Sequence, residues 1–348
     1  MTSRLLLGVG FGLLGAAALG AQGQAPAAPT PSNLRATADP RYKEVIAKCK
    51  TPPPEPPARS PVARVVPPDY AVTEIPGVIA AGQRWTTVYQ TTGNNADGPI
   101  ASEDGGLLIA QMDNGQVVKI DAKGQASVVH RDTNAGGALA MSTKNALFVV
   151  SRGLGQAVLQ LAPQRRVLAN TFNGEPFECV GGINDVTADS RGGAYFTMSG
   201  LFYADPKGVV TRYGEGLRTN GVILSPDEKT LYVTNNQVVV GFDVRPDGSL
   251  TNQRDFAKLA TGSGDGMAVD AAGRLYVTVG GGPAGAPGVY VFSADGKALG
   301  LIPSPRPLIT VAFSGPEKKT LYGIANDQRT VEIYTIPMMA QGFRGRAK

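Results

Sequence analysis

The chain has 348 residues, 45 of them glycine and 26 proline, and a formal net charge of +5. Its Lys and Arg residues are scattered, with no basic run interleaved with aromatics, so a nucleic-acid surface is not expected. The single histidine, His130 in VVHRD, sits on an expected outer strand, which argues against Ser-His-Asp or His-dyad chemistry at a central site.

From the N-terminus, Arg4 precedes an apolar stretch from Leu5 to Leu19, and small residues then offer a cleavage point. Residues 1–23 therefore read as a signal peptide, too short for a comfortable membrane span. The expected location is periplasmic or secreted, with no membrane span after cleavage. Residues 24–69 form a Pro-rich arm, including TPPPEPP at 51–57, which stays extended and cannot build a core. Within it ADPRYKEVIAKCK carries enough helical pattern for one or two turns. The arm holds Cys49, and the other cysteine, Cys179, lies just ahead of a repeat. In an oxidising compartment such a pair is expected as a disulfide that straps the arm across one face of the fold.

Residues 70–337 carry one phrase six times: a polar or small residue, an apolar run, a turn rich in Asp, Gly, Lys or Ser, then a second strand with an aromatic or aliphatic marker. The copies open at Asp97, Gly137, Asn184, Asn220, Asp265 and Thr310, and their markers are Leu108, Phe148, Tyr195, Tyr232, Tyr276 and Tyr322. Marker spacings of 37 to 47 residues, with strand-turn-strand content in every unit, give a propeller period. The last unit lacks an outer strand, and an orphan strand, Arg84 to Thr91, precedes the first. The predicted fold is all-β: a six-bladed β-propeller closed by an N-terminal strand, preceded by a signal peptide and the arm. Residues 338–348 remain as a basic C-terminal tail.

Pseudo-sixfold symmetry puts the first residue of every inner strand at one height around the channel. Asp97, Asn184, Asn220 and Asp265 then converge as two carboxylates and two carboxamides. Asn-Gly and Asp-Gly also favour tight turns, which accounts for any single copy, but four together imply more. Oxygen donors without Cys or His suit one hard divalent cation, Ca²⁺ first, with Mg²⁺, Mn²⁺ or Zn²⁺ as alternatives. Such an ion polarises a carbonyl and activates water.

The motifs INDVTADSRGGAYFT (183–197), TNGVILSPDEKTLYVT (219–234) and GDGMAVDAAGRLYVT with GVYVFSADGKALGLIP (264–303) resemble the senescence marker protein (regucalcin), gluconolactonase and luciferin-regenerating enzyme family. The resemblance implies metal ligands at Asp97, Asn220 and Asp265, with Asn184 facing substrate or metal and Asp265 as general base. Two positions depart from the pattern. Asp97 in DGP replaces a Glu in EGP, and Gly182 stands where sugar-lactonase members carry an Arg. The expected function is metal-dependent hydrolysis of lactones or related esters by a monomer; the alternative is an exported scaffold or sensor with a structural metal.

Overall fold

The computed structural model describes residues 34–53, 70–92, 96–280, 285–326 and 330–348. The expected signal peptide and much of the Pro-rich arm lie outside the described residues. Among those described, six four-stranded antiparallel sheets stand around a common axis. Blade 1 runs through Ala96–Ala101, Leu107–Gln111, Gln116–Ile120 and Ala126–His130 from the hub outward. Blade 2 comprises Gly136–Met141, Leu147–Ser151, Ala157–Ala162 and Arg166–Ala169, and blade 3 Ile183–Ala188, Ala194–Met198, Leu201–Ala204 and Val210–Tyr213. Blade 4 takes Thr219–Leu224, Thr230–Asn235, Val238–Val244 and Leu250–Lys258; blade 5 takes Gly264–Val269, Leu275–Val279, Gly288–Phe292 and Ala298–Pro303.

Blade 6 is composite. Thr310–Ser314, Thr320–Asn326 and Thr330–Pro337 come from the end of the chain, and Thr86–Thr92 pairs antiparallel with Thr330–Pro337 from the other side. Each inner strand packs on the next, and that of blade 6 returns to that of blade 1.

Alternating apolar residues explain the packing. The aromatic markers Phe148, Tyr195 and Tyr276 are fully buried between neighbouring sheets, as are Leu107, Val222 and Val277. The hairpin from inner to second strand is pinned by a buried Asp. In blade 5 Asp270 accepts the backbone N–H groups of Ala272 and Arg274, the Arg274 guanidinium and the Tyr276 hydroxyl. Asp189 does the same in blade 3 with Arg191, Gly193 and Tyr203. Both carboxylates are fully buried, so removing either strands its partners at a cost of about 3–5 kcal/mol.

Outside the blades, Ala36–Ala38 and Tyr42–Ile46 form two short helical turns. This part of the arm lies on the loops of blades 2 and 3: Ala36 N–H donates to Arg152 O at 2.8 Å, and Lys50 N–H to Glu175 Oε2 at 3.1 Å. A disulfide joins Cys49 to Cys179. At the opposite face the segment 338–348 crosses beneath the hub. There Ala347 pairs with Met141 and Gly342 with Asp270, beside a cavity of about 360 Å³ lined by Glu103, Asn145 and Arg344. Among the described residues no helix is long and apolar enough to cross a membrane.

Candidate active site at the channel mouth

Five of the six inner strands lose register with the second strand at the same place. The irregularities fall between Asp97 and Ile100, Gly136 and Leu139, Ile183 and Val186, Thr219 and Val222, and Gly264 and Met267. An extra residue there leaves the ladder unpaired and re-aims the side chain, here toward the axis. In blades 3, 4 and 5 freed backbone groups are taken up by threonines of the second strands. Thr197 Oγ1 donates to Asn220 O at 2.6 Å and Thr278 Oγ1 to Gly266 O at 2.9 Å. The bulges of blades 3, 4 and 5 are thereby stitched to their own or the next blade.

The glycine after the ring residue has a different cause from the turn chemistry the sequence suggests. A Cβ on Gly221 would stand 2.4 Å from Asp265 O, and one on Gly98 would stand 2.3 Å from Ala138 Cα. Gly98 also has φ of +59°. Asp-Gly and Asn-Gly recur because neighbouring inner strands touch there.

The ring brings Asp97, Asn184, Asn220 and Asp265 to one mouth, each half-buried. Asn184 Nδ2 donates to Asn220 Oδ1 at 2.5 Å, and Asp97 Oδ1 accepts the Gly98 N–H at 2.7 Å. Gly137 contributes no side chain; its place is filled by the residue just beyond the second strand of the same blade. Arg152 Nη2 lies 2.9 Å from Asp97 Oδ2, 3.0 Å from Asn184 Oδ1 and 2.6 Å from Asn184 O. Its Nε is buried without a partner among the described residues, and so is Thr310 Oγ1 at the sixth ring position. Buried polar atoms left unsatisfied are unusual, and two of the four among the described residues fall in this ring, the others being Glu228 Oε1 and Arg346 Nη1 at the opposite end.

Asp265 differs from the rest: its carboxylate accepts no hydrogen bond among the described residues. It keeps some contact with the channel yet is surrounded by protein. Desolvation, then the negative charges of Asp97 and Asp185, push its carboxyl up to about 8, against the opposing charges of Arg152 and Lys348. Asp185 follows Asn184 on the inner strand of blade 3 and accepts the N–H groups of Val186 and Val222 at 2.9 Å. Its other partner is the Lys348 ammonium, which enters the channel from the opposite face.

Neither Arg152 nor Lys348 was an expected site residue. Arg152 leaves a trace in the sequence. Counting four residues beyond each blade marker gives Met112, Arg152, Ser199, Asn236, Gly280 and Asn326, of which Arg152 alone is charged. Lys348 leaves none, because its contact spans 163 residues.

A divalent cation fits this donor set poorly. Asp97 Oδ2 and Asn184 Oδ1 already face a guanidinium, and the Asn220 carbonyl oxygen accepts from Asn184. A dication about 4 Å from that guanidinium would meet repulsion on the order of 8 kcal/mol at an effective dielectric near 20.

Fold and site together define a six-bladed propeller with a polar ring at one channel mouth. Residues 95–324 match the SMP-30/Gluconolactonase/LRE-like region, and the chain belongs to that family. It is 29% identical over 216 residues to a gluconolactonase of Zymomonas mobilis, an alignment covering 52% of this chain and 58% of that protein. Among solved structures, a gluconolactonase from Xanthomonas campestris superposes with a TM-score of 0.65 at 23% identity, covering 82% of this chain and 99% of that one. A calcium-binding protein, regucalcin, from Agrobacterium tumefaciens gives 0.54 at 16% identity, covering 74% and 99%. At these identities the two superpositions establish the fold.

Proposed function

We propose that the protein hydrolyses lactones or related carboxylic esters at the ring mouth, with Asp265 as general base. The observation that carries this reading is a carboxylate without a hydrogen-bond partner, held in the channel mouth of a chain from a gluconolactonase-like family. A base needs a free lone pair and an affinity for protons near the working pH, and desolvation supplies the second.

In the proposed reaction a water oxygen attacks the carbonyl carbon while its proton passes to Asp265. The carbonyl electrons move onto oxygen, where the carboxamides of Asn184 and Asn220 are the neutral donors of the ring. Collapse breaks the ring C–O bond, and the departing alkoxide takes the proton back from Asp265. Lactone and water become one hydroxy acid.

Gly182 presents no side chain and has open space where a Cβ would stand. A small apolar-rimmed lactone is therefore a better candidate than a polyhydroxylated one that needs an arginine at that place. The Cys49–Cys179 pair and the expected signal at 1–23 favour work in a periplasm or outside the cell. A pH-stat assay on five- and six-membered lactones and simple esters tests the reading. Turnover abolished in Asp265→Asn is the expected result; no turnover on any substrate would remove it.

A further inference from the structure

We infer that the Arg152 guanidinium is the resident cation of the ring, standing where a divalent metal would otherwise draw the oxygens together, so that the site needs no metal ion. Three observations converge. First, Arg152 Nη2 reaches Asp97 Oδ2 at 2.9 Å and Asn184 Oδ1 at 3.0 Å, oxygens from two non-adjacent blades. The side chain of Arg152 is only 7% exposed, so this is a buried, placed charge rather than a surface contact.

Second, the room for it is built. A Cβ on Gly137 would come within 2.2 Å of Arg152 Nε and 2.4 Å of Cζ. The ring position that has no side chain is the one the guanidinium crosses. The backbone of Arg152 is held as well, its N–H by Ala135 O at 3.2 Å and its carbonyl by Ala36 N–H at 2.8 Å.

Third, the charges of the channel pair off. Asp97 has Arg152, and Asp185 has Lys348, which leaves Asp265 as the single carboxylate of this group without a cation. One free carboxylate and two amides make a weak site for a hard dication, whose affinity follows the number of charged ligands. A guanidinium satisfies the same oxygens directionally and is always charged.

The test measures metal binding first, so that it stands apart from the hydrolase reading on which only the statement about turnover rests. Protein stripped with a chelator is titrated calorimetrically with CaCl₂, MgCl₂, MnCl₂ and ZnCl₂. Native protein is expected to show no stoichiometric binding tighter than about 10⁻³ M. Arg152→Gln, and separately Gly137→Ala, which displaces the guanidinium without deleting it, are expected to admit one Ca²⁺ or Mn²⁺ at least about tenfold more tightly. Arg152→Lys keeps a charge in place and should stay closed to metal.

Native protein that binds one ion tighter than about 10⁻⁵ M overturns the inference, and so does a failure of both opening variants to gain binding while folded. Should the variants not fold, the native titration decides alone. Turnover that survives chelation supports it; turnover lost to EDTA and restored by one metal overturns it. Native protein that neither binds metal nor turns over any lactone would leave Arg152 in this role and remove the hydrolase instead.

Discussion

The two ends of the propeller channel are built from the same materials and differ in whether each carboxylate faces a cation. At the far end, the buried Arg346 donates to the carbonyls of Leu224 and Ser225 and sits 3.6 Å from Glu228, although its Nη1 and Glu228 Oε1 make no hydrogen bond among the described residues. Lys348 pairs with Asp185, and the segment around them closes the opening. At the near end Arg152 ties Asp97 to Asn184, but its Nε, Thr310 Oγ1 and the Asp265 carboxylate lack partners among the described residues. Unsatisfied buried atoms therefore occur at both ends, and what sets the near end apart is one carboxylate that has no cation beside it among the described residues. An acceptor without partners in a channel mouth is costly, which makes Asp265 the residue at which a functional use is best tested.

The sharpest way to break this contrast is at Asp265. Asp265→Asn removes the proposed base and should lower kcat by about 10³-fold, within the range usual for general bases, while the melting temperature holds or rises. Equal loss of activity and stability would make Asp265 another structural carboxylate. Next comes the far end. Lys348→Met leaves Asp185 buried without its cation and should cost about 3 kcal/mol in urea unfolding. Adding Asp185→Asn should recover most of that loss, with kcat changed far less than in Asp265→Asn.

A smaller effect is expected from the strap. Replacing Cys49 and Cys179 together by Ser should lower stability by about 2–3 kcal/mol and loosen the Ala36–Arg152 contact, read as faster hydrogen exchange around residues 34–50.

The mildest prediction is pH dependence, and its sign separates the two ends. A base whose proton affinity is raised to about 8 gives a kcat/KM that climbs with pH and levels off above that value. The same raised value means the folded state holds a proton that the unfolded chain releases from about pH 4 upward. The contribution of Asp265 to stability therefore falls between about pH 4 and 8, then flattens. Comparing unfolding of the native protein with Asp265→Asn across that window isolates it. Activity should rise where stability declines.

Much of the architecture could be read from residue order because the blade markers keep one phase. Phe148, Tyr195 and Tyr276 each bury a large ring at the same depth, and depth is what a repeat records. The ring residues could be read for the same reason, as first positions of equivalent strands. Their Gly neighbours were visible but pointed to turns, whereas contact between adjacent inner strands is what requires them. Arg152 was harder, since its position acquires meaning only when the empty place at Gly137 is seen beside it. The Lys348–Asp185 pair lay beyond reach. It depends on a terminal segment passing under the hub, which no local pattern encodes.

The composite sixth blade sets a practical limit on how the chain can be trimmed. A fragment spanning only 95–324, the stretch matched by the family, would lose Thr86–Thr92 together with the whole of Thr330–Pro337. Its last sheet would shrink to a hairpin with a raw hydrogen-bonding edge, an invitation to self-association and misassembly. Any recombinant form meant to behave as a well-ordered monomer must therefore carry flanking sequence on both sides of the recognisable homology.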